Sequence, residues 1–215
     1  MGTTTDIPSE IGTSELVRDA YELLASKHDG QRQKVNGHPY VEHPIAVATD
    51  VSEAGFEPEM VAAALVHDIV EDSDVTVEDV RERFGDRVAT LVDAMTDTSE
   101  VKPYERRKAL HRERVVAAGP DAAAIFAADK LNNVRALRSA YAEDGEAVAS
   151  RFVQPLDTKL RVWVAASRWS PAMRPPFPTP RCSRARSPAW RPIGSVVVEA
   201  EAALVVLEAD AAQQR

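Results

Sequence analysis

The chain has 215 residues, 44% hydrophobic and 28% charged, which is typical of one globular domain of roughly 150–200 residues with some additional chain. A formal net charge of -8 argues against a surface for duplex DNA or RNA, so we expect no nucleic-acid partner. The single cysteine, Cys182, excludes an intramolecular disulfide, and the polar segment Met1 to Glu10 has no signal-peptide pattern. No run reaches the ~18 consecutive apolar residues of a membrane span. We therefore expect a cytoplasmic protein without a membrane partner.

Helical spacing of apolar residues dominates the first 145 residues, and no segment alternates with period two over a useful length. We predict an amphipathic helix over residues 13–28, followed by a polar loop up to Tyr40. The next helix is expected to begin at His43-Pro44, with proline in the first helical position, and to end at Gly55. A nearly all-apolar helix from Pro58 to about Val70 should be buried on most sides.

Capping signals and helix breakers divide the following segment. Thr76, with a carboxylate three residues later, predicts a short capped helix that Gly85 ends. Another helix should follow, then a strongly basic helix after Pro103, and the pair Gly119-Pro120 separates that one from an apolar helix. The predicted fold is therefore all-α, with seven or so helices before residue 145.

The composition changes abruptly after a further predicted helix over residues 144–164. Residues 166–194 are crowded with Pro, Arg and Ser and are interpreted as a linker or disordered segment. The predicted organisation is a flexible N-terminus over 1–12, a folded domain over 13–165, this irregular segment, and a C-terminal helix within 195–215. The irregular segment is either a genuine tail or the product of a shifted reading frame, and the coding DNA would separate these two hypotheses.

Four residues with metal-binding side chains stand where a lone charge is costly. His67 and Asp68 are adjacent at the end of the apolar third helix, His43 lies at a helix start, and Asp129 lies inside the apolar segment AAIFAADKLNNV. Such groups must be paired, solvated or bound to a metal because their desolvation alone is unfavourable. Two imidazoles and two carboxylates form a mixed nitrogen and oxygen set that suits Mn²⁺ or Fe²⁺. The other histidines are interpreted as surface or packing residues: His28, His38 and His111.

Three segments, GHPYVEHPIAVA, AALVHDIVEDSDVTVEDVRERFGDRVATLVDAMTD and AADKLNNVRAL, resemble the HD hydrolase domain of the RelA/SpoT family. The resemblance covers about residues 14–160, and this short chain without a synthetase region is most similar to the stand-alone small alarmone hydrolases. It implies an HD-domain helical bundle and hydrolysis of the 3′-pyrophosphate of (p)ppGpp to GDP or GTP and pyrophosphate. The implied metal ligands, for which Mn²⁺ is the favoured ion, are His43, His67, Asp68 and Asp129.

The same resemblance assigns residues to the reaction. Its catalytic acidic pair corresponds to Glu71 and Asp72, which would orient or deprotonate the attacking water. Its nucleotide-contacting residues correspond to Arg32, Lys34 and Asn133. A highly phosphorylated substrate also needs cations, and Lys130 is a further candidate close to the motifs. The basic helix after Pro103 is either a second source of such cations or a solvated face.

Two departures from the family pattern keep other functions open. The loop reads Arg32-Gln33-Lys34-Val35, where the family usually carries adjacent basic residues before a glycine, and Ala136 stands where long members often have Thr. One alternative is therefore an HD phosphohydrolase that acts on another nucleotide. The other alternative is a non-catalytic nucleotide-binding protein, although all the metal and catalytic residues of the family are present.

Overall fold

The computed structural model describes residues 7–12, 14–97 and 101–167. These residues are helical or irregular, and an isolated bridge between Arg32 and Pro39 is the extended pairing found among them. The predicted all-α fold is confirmed. In this part of the chain no helix is both long enough and apolar enough to cross a bilayer. The predicted C-terminal helix and the irregular segment beyond residue 167 lie outside the described residues.

Within the described residues, the 3-10 helices Ser9–Ile11 and Gly145–Arg151 accompany the α-helices. The α-helices of the described residues are, in chain order, α1 (Glu15–Lys27), α2 (Glu42–Glu53), α3 (Pro58–Leu65), α4 (Ile69–Asp72), α5 (Val77–Phe84), α6 (Asp86–Met95), α7 (Tyr104–Ala118), α8 (Pro120–Asp144) and α9 (Leu156–Ser167).

Internal contacts divide the chain into two units, the first formed by Met1–Gln33 with His38–Ala128 and the second by Lys34–Gly37 with Asp129–Arg215. In the first unit α3 is the central helix, and it packs against α1, α2 and α6. Every residue from Met60 to Val66 is buried, as the sequence predicts. An apolar helix surrounded by three others contributes most of its side-chain surface to the core.

The prediction that the third helix continues to about Val70 is wrong. Helix α3 ends at Leu65, and α4 begins only at Ile69, so His67 and Asp68 lie in a break between two helices. The cause is local, because His67 Nδ1 donates a hydrogen bond of 2.8 Å to the Ala64 carbonyl oxygen. In a continuing α-helix that oxygen would accept the N–H of Asp68. The break also adds one helix to the seven or so that were predicted.

Most other helix ends agree with the sequence signals. Ser14 caps α1 by accepting the Val17 N–H, and Thr76 and Asp79 form the predicted capping box at the start of α5. Helix α2 begins at Glu42, two residues before the predicted first position, so Pro44 is its third residue rather than its first. Proline is still tolerated there because the first four N–H groups of a helix have no intrahelical acceptor.

The second unit has its own small core, and the single helix predicted over residues 144–164 is wrong. A 3-10 helix, Gly145–Arg151, and α9 replace it, separated at Pro155, which lacks an N–H and disfavours helix in the residue before it. Helix α9 also continues through Ser167, two residues into the segment predicted to be irregular. In this core Val148 and Leu160 are buried in one apolar cluster, and Phe152 and Leu156 pack against it.

Candidate functional site

The break between α3 and α4 presents the His67 imidazole and the Asp68 carboxylate. His67 is fully buried, and its Nδ1 must carry the ring proton because a carbonyl oxygen such as that of Ala64 can only accept. In the neutral ring Nε2 then carries the lone pair, and this is the form of histidine that binds a metal. The backbone thus fixes both the ring orientation and the tautomer of this side chain.

A second histidine lies beside it. His43 is half-buried in the first turn of α2, and its ring centroid lies 5.4 Å from that of His67 at an interplanar angle of 65°. One ligand atom each from His43, His67 and Asp129 lie within 4.8 Å of one another. No other such group of histidine, cysteine or acidic side chains was found in the part of the chain that the structure describes.

The third member, Asp129, is 4% exposed and lies on α8 one helical turn after the buried Ile125. Its carboxylate accepts hydrogen bonds from the Lys130 ammonium and the Asn133 side-chain amide, and Asn133 Nδ2 also donates to the Asp129 carbonyl oxygen at 3.0 Å. These contacts offset the cost of burying a carboxylate. Lys130 and Asn133, which were predicted to contact substrate, thus donate hydrogen bonds to the Asp129 carboxylate.

Asp68 lies next to this group. Its Oδ2 is 3.1 Å from His67 Nε2, a distance that suits an ion pair when the imidazole is protonated. When the ring is neutral both atoms are acceptors, and a cation beside both would offset their repulsion. The nitrogen and oxygen donors and this close approach fit a divalent cation of the Mn²⁺ or Fe²⁺ class, and no thiolate of a structural zinc site is present in the group.

Tyr40 connects Asp68 to Asp72. Its hydroxyl lies 3.1 Å from Asp68 Oδ2 and 2.8 Å from Asp72 Oδ2, and it donates its one proton to these carboxylates. Burial, together with the two negative charges, raises the pKa of Tyr40 far above its usual value, so the residue stays a phenol. The buried His28 packs against the Tyr40 ring, and the centroids of the two rings lie 4.5 Å apart.

Glu71 follows on the same helical turn, because its N–H donates to the Asp68 carbonyl oxygen. Its Oε2 accepts the backbone N–H of Asp97 at 3.3 Å. Part of Glu71 is exposed, but desolvation of the rest and the negative charge of Asp68 raise its pKa, while Lys108 opposes the rise. A carboxylate with a raised pKa accepts a proton more readily than an ordinary one.

The predicted substrate-binding residues Arg32 and Lys34 are exposed. The main chain of Arg32 forms the bridge with Pro39, and the neighbouring Gln33 donates from Nε2 to the Pro39 carbonyl oxygen at 3.2 Å. Gln33, where the family usually has a basic residue, therefore stabilises the loop itself. Val35 packs against the apolar cluster of the second unit.

Both interpretations of the basic helix after Pro103 are incomplete. Three basic residues of α7 are engaged with protein groups: Lys108 Nζ lies 2.7 Å from Asp97 Oδ2, Arg107 Nε lies 3.4 Å from the same oxygen, and Arg114 donates to the main-chain oxygens of Thr96 and Asp93. Cations at the carbonyl end of α6 also complement its helix dipole. Sequence analysis missed Asp97, because no local pattern distinguishes it from a surface carboxylate.

The chain is similar to several known proteins. The protein-family model HD_4, described as HD domain, matches residues 20–155. The guanosine-3′,5′-bis(diphosphate) 3′-pyrophosphohydrolase of Aquifex aeolicus is 36% identical over 155 residues, covering 70% of this chain and 22% of that protein. The human pyrophosphohydrolase MESH1 is 41% identical over 122 residues, covering 55% of this chain and 68% of that protein. This chain thus spans about a fifth of the bacterial relative and about two thirds of the human one.

A solved structure is also similar to this chain. It is that of a metazoan ortholog of SpoT described as hydrolysing ppGpp and as having a role in starvation responses. It matches with a TM-score of 0.53 at 30% sequence identity, over 70% of this chain and 93% of that chain.

Proposed function

Because this chain belongs to the HD domain family, we propose that it is a metal-dependent phosphohydrolase that removes the 3′-pyrophosphate of (p)ppGpp. The observation that carries the proposal is the group formed by His43, His67 and Asp129, whose ligand atoms lie within 4.8 Å of one another. The substrate is supported by the relatives, since the human protein is named for this reaction and the metazoan protein is described as hydrolysing ppGpp.

The ligands of the cation would be His43, His67 and Asp129, with Asp68 as the fourth. We favour Mn²⁺ because two imidazoles and two carboxylates form a mixed donor set of intermediate softness. A bound divalent cation lowers the pKa of water and offsets charge that develops on phosphoryl oxygens. We place the reaction in the cytoplasm, where the single cysteine would stay reduced.

The acidic residues of α4 would handle the proton. Glu71 accepts a proton from the attacking water at its carboxylate, and its raised pKa suits this role. Asp72 helps to orient that water, and the Tyr40 hydroxyl holds Asp72 in place at 2.8 Å. Because Tyr40 remains a phenol, it serves as a hydrogen-bond donor and not as a base.

Basic side chains would bind the phosphates of the nucleotide. Arg32 and Lys34 are exposed and would contact the phosphates, and Asn133 would contact the nucleotide. The Lys130 ammonium carries three N–H donors, so it can hold Asp129 and still donate to a phosphoryl oxygen. The assignments of Arg32, Lys34 and Asn133 follow the family resemblance, and that of Lys130 follows from its charge and its place beside the motif.

The test is an assay of purified full-length chain with Mn²⁺ and ppGpp, in which pyrophosphate release is followed over time. We expect release with wild type and none with His67→Ala. His38→Ala is the matched control, because His38 is an exposed histidine outside the candidate metal group and should leave the rate unchanged. Loss of activity in both variants would contradict the assignment of His67.

A panel of other nucleotides belongs in the same assay, since Gln33 is engaged within the loop where the family usually has a basic residue. Turnover of another nucleotide, without turnover of ppGpp, would replace the proposed substrate but keep the chemistry. Metal binding without turnover of any nucleotide would favour a non-catalytic nucleotide-binding protein.

A further inference from the structure

The Asp97 carboxylate is the most deeply buried acidic group near Glu71 that the proposed reaction does not use. Its side chain is 3% exposed, and its charge is met by two cations of α7, Lys108 and Arg107. Removing one partner of a buried ion pair leaves the other charge uncompensated, which is strongly unfavourable. The segment at the end of α6 is therefore attached to α7 through Asp97.

The same residue touches Glu71 through its backbone. The Asp97 N–H donates to Glu71 Oε2 at 3.3 Å, so this main-chain segment provides a contact that holds the Glu71 carboxylate. Lys108 also acts on Glu71 electrostatically, and it lies 2.7 Å from Asp97 Oδ2. Asp97 thus pairs with a lysine whose charge acts on Glu71, and its backbone N–H donates to the Glu71 carboxylate.

We propose that Asp97 is a positioning residue for Glu71, which it acts on through its ion pair with Lys108 and through its backbone N–H. The inference rests on the proposed role of Glu71 as the proton acceptor. Because the donor is a main-chain group, substitution of the Asp97 side chain keeps the N–H. It removes only the ion pair that attaches this segment to α7. The consequence is a change in turnover and not in nucleotide binding.

The first measurement is a separation of kcat from KM for Asp97→Asn, with whichever nucleotide the wild type turns over. We expect kcat to fall about 10-fold, a part of the roughly 10²–10⁴-fold that general acid–base help supplies, with KM and Mn²⁺ affinity unchanged. The double variant of Asp97→Asn and Glu71→Gln, together with the two single variants, forms a double-mutant cycle. There Asp97→Asn should change kcat less than about 2-fold, because the residue it positions is gone.

Lys108 provides a second, independent pair of variants. Lys108→Gln releases Asp97 from its nearer partner and should also lower kcat, whereas Lys108→Arg keeps the charge and should stay within about 3-fold of wild type. A rise in KM with unchanged kcat for Lys108→Gln would instead assign Lys108 to substrate binding and overturn the proposal. Additive losses of kcat in the cycle with Glu71→Gln would overturn it equally.

Amide hydrogen exchange gives a readout that does not depend on turnover. In Lys108→Gln the amide of Asp97 should exchange faster than in wild type, and in Lys108→Arg it should exchange at the wild-type rate. Unchanged exchange in Lys108→Gln would refute the anchoring even in a protein that is inactive towards ppGpp. Inactive wild type with the expected exchange pattern would refute the proposed function alone.

Discussion

Replacement of Tyr40 by Phe removes the hydroxyl that contacts two carboxylates of the candidate site and leaves the ring in place. The hydroxyl lies between Asp68 and Asp72, and the ring packs on His28. The substitution therefore keeps the apolar contacts and deletes a hydrogen bond to a carboxylate. We expect a loss of turnover without a loss of fold.

The size of the effect follows from the number of protons. Tyr40 has one proton and two carboxylate acceptors, so one strong hydrogen bond is lost and not two. A hydrogen bond to a charged group contributes about 1.5–3 kcal/mol, and water can partly replace it at the exposed Asp72. A net loss of about 1–2 kcal/mol corresponds to a fall in kcat/KM of about 5–30-fold.

The assay compares kcat/KM of wild type, Tyr40→Phe and the control Tyr21→Phe, which removes a hydroxyl from a buried tyrosine of α1. The raised pKa of Tyr40 keeps its hydroxyl protonated, so the ratio of wild type to Tyr40→Phe should be constant between about pH 7 and 9. A change below about 2-fold, or a ratio that falls towards alkaline pH, would refute the reasoning.

Three further predictions concern Glu71, the candidate metal ligand His43 and the capping residue Thr76. Burial raises the pKa of Glu71 above 4.5, so its ionised form destabilises the metal-free fold as the pH rises through that raised pKa. Glu71→Gln should therefore melt at a higher temperature than wild type near neutral pH, with no difference well below pH 4.5, although its turnover falls by roughly 10²–10⁴-fold. Isothermal titration of chelator-treated protein should give one Mn²⁺ per chain, and His43→Ala should abolish it; unchanged stoichiometry would remove His43 from the ligands. Thr76→Ala breaks the capping box and should lower the free energy of unfolding by about 1 kcal/mol in urea titration, with unchanged kcat.

The helical part of the fold follows from local signals in the sequence. Apolar spacing predicts α1, and Thr76 and Gly85 lie at the ends of α5 that they predict. The break after Leu65 could not be predicted in this way, because Val66 to Val70 continue an apolar helical pattern. It depends on a side chain, His67, that takes a main-chain acceptor. A local contact between a side chain and the main chain here interrupts the helical pattern.

Part of the candidate site was also accessible from sequence. A histidine or a carboxylate in an apolar segment needs a partner, and this argument alone selects His67 and Asp129. The contacts of Asp97 with Lys108 and with Glu71 join residues far apart in the chain, and no spacing rule predicts them. The basic character of α7 suggested a substrate surface or a solvated face, and only the packed structure places its cations on Asp97 and on main-chain oxygens.

The contact between His67 and the Ala64 carbonyl also affects how this position can be probed. One imidazole both terminates a helix and offers a nitrogen to a cation, so an alanine there deletes a helix stop together with a candidate ligand. Asparagine would be the more selective replacement, since its amide can donate to the same carbonyl oxygen while it lacks the imidazole. Loss of metal with an intact break between α3 and α4 would then report on coordination alone.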